Sequence, residues 1–226
     1  MTAESHRHFH EELTSLKERL LQMSSQAQEA VHRAVNSVLR RDAELSAEVV
    51  ADDHKIDALE IEIENSVTNL LALQQPMARD LRLLLATLKI SNDLERVGDH
   101  AVNIAESARR LLDYRVIAPE PELVEMARLA REMLAQSLDT FVHSDATGAR
   151  EIGAQDDRVD ALHHSMFRIL LTHMAEDAHV IGAAMELFLV SRNLERVADL
   201  ATNIAEDVVF MVEGKTIKHR SEQPPA

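Results

Sequence analysis

The chain has 226 residues, 46% of them hydrophobic, with a formal net charge of −15; a sizeable core is affordable, and direct binding to nucleic acid or to an anionic membrane surface is disfavoured. Cysteine and tryptophan are absent, which removes disulfides, thiolate catalysis and cysteine-type zinc sites. Five glycines and five prolines leave little turn chemistry, and a core drawn from Leu, Val, Ile, Ala and Met argues for an all-α protein.

The first ten residues are polar, and the alternating His6, His8 and His10 read as a solvated, frayed tail. A first helix is expected from about Phe9 to Leu39, on a stripe of Phe9, Leu13, Leu16, Leu20, Met23, Ala27, Ala30 and Ala34. That spacing is close to a pure 3-4 heptad pattern. Asp42 suits the N-cap of a second helix, whose inner face carries Val49, Asp53, Ile56, Ile63, Val67 and Leu70, with Asp57 one turn beyond Asp53. Gln74-Gln75-Pro76 ends that helix, because proline cannot continue a helix interior and restricts the residue before it. A third helix follows from near Met77 to Leu112, and Pro119 and Pro121 bracket the start of a fourth.

The second half repeats the first. The fourth helix shows Leu123, Met126, Ala130, Met133, Ser137 and Phe141, and Asp145 stands 103 residues after Asp42, ready to cap a fifth helix. Ile152, Asp156, Val159, Asp160, Met166 and Leu170 follow Val49, Asp53, Ile56, Asp57, Ile63 and Val67 at the same offset. The chain turns around Glu176-Asp177-Ala178-His179, and a sixth helix runs to Gly214, a natural C′ residue. Within it, Leu194-Glu195-Arg196-Val197-Ala198-Asp199 repeats Leu94-Glu95-Arg96-Val97-Gly98-Asp99 at an offset of 100, so the second hairpin turn is three residues shorter. The expected fold is six long helices in two tandem three-helix bundles related by an internal repeat. The first unit covers residues 1–113, a linker 114–118, the second unit 119–214 and a polar tail 215–226.

Residues four apart share a helix face, so Asp53/Asp57, Glu95/Asp99, Asp156/Asp160 and Glu195/Asp199 are four pairs of adjacent carboxylates. Heptad steps through Glu95 meet Leu81, Leu88 and Val102, and those through Glu195 meet Phe188 and Thr202. Both glutamates are thereby expected on the core-facing stripe, beside the small residues Gly98 and Ala198. In an antiparallel hairpin, residues equidistant from the turn lie at one level. Residue 76 is the midpoint of both Asp53–Asp99 and Asp57–Glu95; the two equivalent pairs of the second unit share a midpoint between residues 177 and 178. Four carboxylates should therefore converge in each unit, about 30 Å from its turn. Arg96, Arg196, Lys55 and Arg158 are the cations that could neutralise them instead. Arg96 and Arg196 directly follow the glutamates and point about 100° away, which makes them poor partners.

An all-carboxylate site of this density suits Fe, Mn, Zn, Mg or Ca, several ions bridged by shared carboxylates. The expected ligands are Asp53, Asp57, Glu95 and Asp99 in one cluster and Asp156, Asp160, Glu195 and Asp199 in the other. His54 and His100 adjoin ligands but point off the ligand face. A ferritin-like di-iron oxidase would need two facing Glu-x-x-His helices; the chain offers Glu29 with His32, and otherwise Glu176 with His179 in an expected turn. A metal-free helical adaptor is the other alternative. No nucleophile–base constellation or phosphate-cradling glycine loop is visible, so a non-enzyme is expected.

Three features carry a resemblance to the PhoU family, accessory and regulatory proteins of bacterial high-affinity phosphate uptake. They are Gln74-Gln75-Pro76-Met77-Ala78-Arg79-Asp80-Leu81-Arg82, the two Leu-Glu-Arg-Val-Gly/Ala-Asp segments with their Asn-Ile-Ala-Glu endings, and the Asp-x-x-x-Asp of the second and fifth helices. Departures are Ala198 in place of the first copy's glycine and the missing Gln-Gln-Pro turn in the second unit. The resemblance implies six helices, multinuclear metal clusters on the acid-x-x-x-acid pairs, and contacts with the phosphate transporter's ATPase and a membrane sensor kinase. It also implies a protein that restrains uptake and phosphate-starvation gene expression when phosphate is plentiful. A cytoplasmic location without membrane insertion is expected, since no signal peptide and no long apolar run are seen; no nucleic acid is expected as partner, given the −15 charge, and a homodimer is the expected assembly.

Overall fold

The computed structural model describes residues 3–74, 76–118 and 120–217, with side chains from Phe9 onward. Outside the described residues lie Gln75 of the first turn, Pro119 at the start of the second unit, the tail from 218, and the His6 and His8 side chains. The helices are α1 Ala3–Arg40, α2 Ala43–Asp52, α3 His54–Gln74, α4 Arg79–Leu111, α5 Pro121–His143, α6 Ala146–Glu176 and α7 Ile181–Glu213, with a 3₁₀ turn at Ala178–Val180. Asp53 alone separates α2 from α3 and keeps right-handed helical angles, so the two form one rod. Counted so, the described residues make six long helices and no strand.

Local chemistry sets the ends. The Asp42 carboxylate accepts from the Leu45 amide at 3.0 Å, and Asp145 accepts from the Thr147 and Gly148 amides at 3.0 Å each. Each satisfies helix-start donors that have no partner within the helix. Pro121 is the first residue of α5, where its missing N–H is no loss. Gly214 closes α7 at φ 71°, a left-handed angle cheap only for glycine. The expected frayed start is instead helical from Ala3.

The expected stripes are buried. Leu16, Leu20, Met23, Ile63, Leu94 and Met126 are among the fully enclosed side chains. The third helices of the two units, α4 and α7, make the most extensive packing. Lys89 meets Asp207 at 3.0 Å and Arg110 meets Glu186 at 2.9 Å. Both pairs have residue 148 as midpoint, as Gly98 and Ala198 do. The two helices are thus antiparallel, and Gly98 and Ala198 share the level of the pseudo-twofold axis relating the units.

One expectation is corrected here. Leu81 is exposed and Leu88, Glu95 and Val102 are half-buried; the enclosed line of α4 is Leu84, Ser91, Gly98 and Ala105. In α7, Phe188, Glu195 and Thr202 are likewise half-buried, beside buried Ser191, Ala198 and Ala205. Small residues let neighbouring helices approach closely, and the ionisable glutamates take the rim of the core, where water still reaches them.

Candidate metal centres

The hairpin α3–α4 brings the four acids of the first unit together. The Asp53 carboxyl is raised by burial and by the charges of Asp57 and Asp99. Glu95 is pushed up to about 7 by burial, then by Asp99, Glu60, Asp57 and Asp53. The hairpin α6–α7 does the same in the second unit: burial, then Asp199, Asp160, Asp157 and Glu195, push Asp156 up to about 7. Burial also raises Glu195 and Asp199, with Asp160 adding to both and Arg196 opposing. Burial first and like charges second disfavour the charged form of these carboxyls, and a cation would offset both.

Packing shapes the first cluster. A Cβ added at Gly98 would lie 3.0 Å from the Asp53 Oδ1 and 3.0 Å from the Ile56 Cδ1, so the glycine leaves the room that Asp53 fills. A cavity of about 270 Å³ backs Asp53 from α1, lined by Gln26, Arg33, Asp52 and Lys55 among others. The two cations there serve Asp52, at 2.9 Å from Arg33 and 2.6 Å from Lys55. Those bonds, Lys55 foremost, hold Asp52 down to about 2. Adjacent aspartates thus face opposite environments, and Asp53 is the uncompensated one.

The remaining cations divide the two clusters. Arg158 goes to Glu125 at 2.6 Å, and Arg96 goes to Asp93 at 3.3 Å. Arg196, expected to point away, meets Asp199 at 2.9 Å and Glu195 at 3.5 Å. The reason lies three residues back. Arg96 finds a carboxylate at Asp93, whereas the equivalent Asn193 is neutral, so Arg196 turns toward Asp199. The Asn193 amide donates to the Leu189 carbonyl at 2.8 Å and its Oδ1 lies 2.9 Å from the His100 ring nitrogen. His54 bonds the Ala51 carbonyl at 2.7 Å. Both histidines therefore stand off the ligand face.

Glu60 escaped the sequence reading. The midpoint rule would have found it, because Glu60 and Asn92 share residue 76 as midpoint and are bonded at 3.3 Å. In the second cluster the Asp156 Oδ1 is buried with no hydrogen-bond partner among the described residues. Oxygen donors in two such groups match hard cations in kind. As the side chains stand, no three His, Asp or Glu among the described residues close around one point. A bound ion would therefore have to draw the carboxylates inward by rotamer changes on fixed helices. The paired Glu-x-x-His helices of a di-iron oxidase are not formed. Glu29 is exposed, His32 bonds Asn36 at 3.0 Å, and Glu176 ends α6 with His179 in the 3₁₀ turn.

A family model described as the PhoU domain matches residues 20–108 and again 123–208. The chain is 38% identical over 213 residues to the phosphate-specific transport system accessory protein PhoU homolog of Zymomonas mobilis, spanning 94% of this chain and 90% of that protein. It is 38% identical over 209 residues to the Aquifex aeolicus protein of the same description, spanning 92% and 95%. The crystal structure of PhoU from Pseudomonas aeruginosa matches with a TM-score of 0.87 at 33% identity, over 92% of this chain and 100% of that one. The phosphate transport system regulatory protein PhoU of Streptococcus pneumoniae gives 0.85 at 28%, over 92% and 99%.

Proposed function

The chain belongs to the PhoU family, and on that premise we propose that it is a metal-binding accessory protein of high-affinity phosphate uptake. It restrains phosphate transport and phosphate-starvation signalling by contacting the transporter's ATPase subunit and a membrane sensor kinase. The observation that carries this reading is a likeness spanning both units and nearly the full length of each relative. No helix among the described residues is long and apolar enough to cross a membrane, which agrees with action on a membrane complex through protein contacts.

The metal part of the proposal rests on the two carboxylate quartets. Asp53, Asp57, Glu95 and Asp99 would hold ions in the first unit, and Asp156, Asp160, Glu195 and Asp199 in the second. The ions would supply positive charge where burial and neighbouring acids disfavour the charged carboxylates of Glu95 and Asp156. Because the glutamates are half-exposed, ions could exchange with solvent without unfolding the bundle. Arg196 favours a second reading for the second unit, a metal-free adaptor whose acids are satisfied by an arginine.

The test immobilises the full chain and presents the ATPase subunit in chelator and in excess Mn²⁺. Retention that needs metal in the wild type, responds less to metal in Glu95→Gln/Asp99→Asn, and no longer responds when Glu195→Gln/Asp199→Asn is added, supports the proposal. Equal retention in both conditions leaves the adaptor reading. No retention in either condition overturns the proposed partnership.

A further inference from the structure

The two units share one fold, yet their outer hairpin faces differ in chemistry. On α6, Phe167 and Leu171 are 47% and 46% exposed; on α7, Ile181 and Met185 are 44% and 46% exposed. Phe188 joins them, its ring 5.5 Å from that of Phe167 and stacked at 5.3 Å on His163. Phe167 and Phe188 are equidistant from the hairpin turn, as Leu171 and Met185 nearly are. The result is an apolar strip along the outside of the hairpin. The chain has only five phenylalanines, and two stand here.

The first unit shows that the fold does not require the α6 half of this strip; the α7 half is apolar in both units, as Leu81, Leu85 and Leu88 in the first. At the offsets of 103 and 100, Phe167 and Leu171 correspond to Glu64 and Thr68, His163 to Glu60, Arg168 to Asn65 and Arg192 to Asn92. The first unit folds with two acids at positions where the second has a phenylalanine and a histidine. It also has two neutral amides where the second has two arginines. Arg168 and Arg192 are exposed and make no ion pair among the described residues. In a protein of charge −15, two exposed arginines thus stand beside an aromatic strip, with Arg192 also acting on Glu195 from a distance. Aromatic and arginine side chains are the types that anchor protein interfaces.

We infer that the α6–α7 outer face, from Ile181 to Arg192, is a docking site for an acidic amphipathic helix of a partner protein. The apolar side of the helix lies on the strip and its carboxylates meet Arg168 and Arg192. Charge complementarity selects this occupant: Arg168 and Arg192 give this face two exposed cations where the first unit has amides, although the protein as a whole repels acidic partners. From Ile181 to Arg192, twelve residues of α7, the helix rises about 16 Å, the length of three turns. None of its residues is an expected metal ligand, although Arg192 acts on Glu195 from a distance.

The probes are two synthetic ~14-residue amphipathic helices with identical leucine faces, one carrying glutamates and the other lysines on the opposite face. Binding to the full chain is read by fluorescence anisotropy. The glutamate peptide is expected to bind at least ~10-fold tighter than the lysine peptide. Phe167→Glu with Leu171→Thr should abolish that binding, and Arg168→Asn with Arg192→Asn should weaken it several-fold and flatten its salt dependence. These substitutions install the residues that the first unit already carries, so the helices should remain intact, as circular dichroism melts will check. Tighter binding of the lysine peptide, as the global charge would dictate, overturns the inference. So does unchanged binding in the Phe167→Glu/Leu171→Thr variant. A wild-type dimer that the same variant dissociates in sedimentation also overturns it, by assigning the strip to self-association.

Discussion

Replacing Glu95 by glutamine separates a metal site from a structural ion pair. In the metal-free chain the Glu95 carboxyl titrates at about 7 against an ordinary 4.5, because burial and four neighbouring acids disfavour its charge. The folded state therefore binds the proton more tightly than the unfolded chain does. Its stability is highest below about pH 4.5 as far as this group is concerned, and falls as pH rises through 7. Full conversion of that difference would be about 3 kcal/mol; water reaches the half-exposed side chain and screens it to about 1 kcal/mol. The uncharged amide escapes this repulsion, so Glu95→Gln should raise the melting temperature by about 2–4 °C at pH 8 in chelator. The gain should vanish at pH 4.5. In excess Mn²⁺ the order should invert, because metal stabilises the folded wild type by about 2.7 kcal/mol at a hundred times its dissociation constant, and the variant binds less. Thermal melts at two pH values, with and without metal, read all of this. Equal destabilisation in chelator and in metal would refute the reasoning, because it is what stranding a cation partner produces.

Asp145→Ala removes two cap bonds and should cost about 1 kcal/mol, or ~2–4 °C in a melt. Arg110→Ala strands Glu186, whose side chain is 12% exposed and whose Oε2 has no hydrogen-bond partner among the described residues. A loss of about 2 kcal/mol is expected in urea unfolding, largely restored in Arg110→Met/Glu186→Leu. Arg196→Gln should strengthen metal binding at the second cluster by freeing Asp199 and Glu195. Arg96→Gln should leave binding unchanged, because Arg96 serves Asp93; competitive titration with a metal indicator distinguishes the two.

Much of the fold was legible because its signals are local. Asp42, Asp145 and Gly214 act within one turn of themselves, and the repeat offsets carry the stripes across both halves. The equidistance rule placed the paired acids at common levels because a short hairpin leaves little freedom of register. Glu95 on the rim was not legible: a heptad through one residue cannot tell the centre of a buried face from its edge, and Ser91 and Gly98 marked the true centre. Arg196 was missed because a long side chain is aimed by the acceptors within reach, and the decisive change was Asn193 in place of Asp93. The basic rim of the second hairpin was visible residue by residue, but its apolar strip required the α6–α7 pairing to bring Phe167 to Phe188.

Metal stoichiometry tests the central claim most directly. The full chain, purified without chelators or affinity metals, is assayed by elemental mass spectrometry beside Glu95→Gln/Asp99→Asn and the further variant adding Glu195→Gln/Asp199→Asn. More than one ion per chain in the wild type, a partial loss in the first variant and near-complete loss in the second is the predicted result. A metal-free wild type, or a content that neither variant changes, would contradict it.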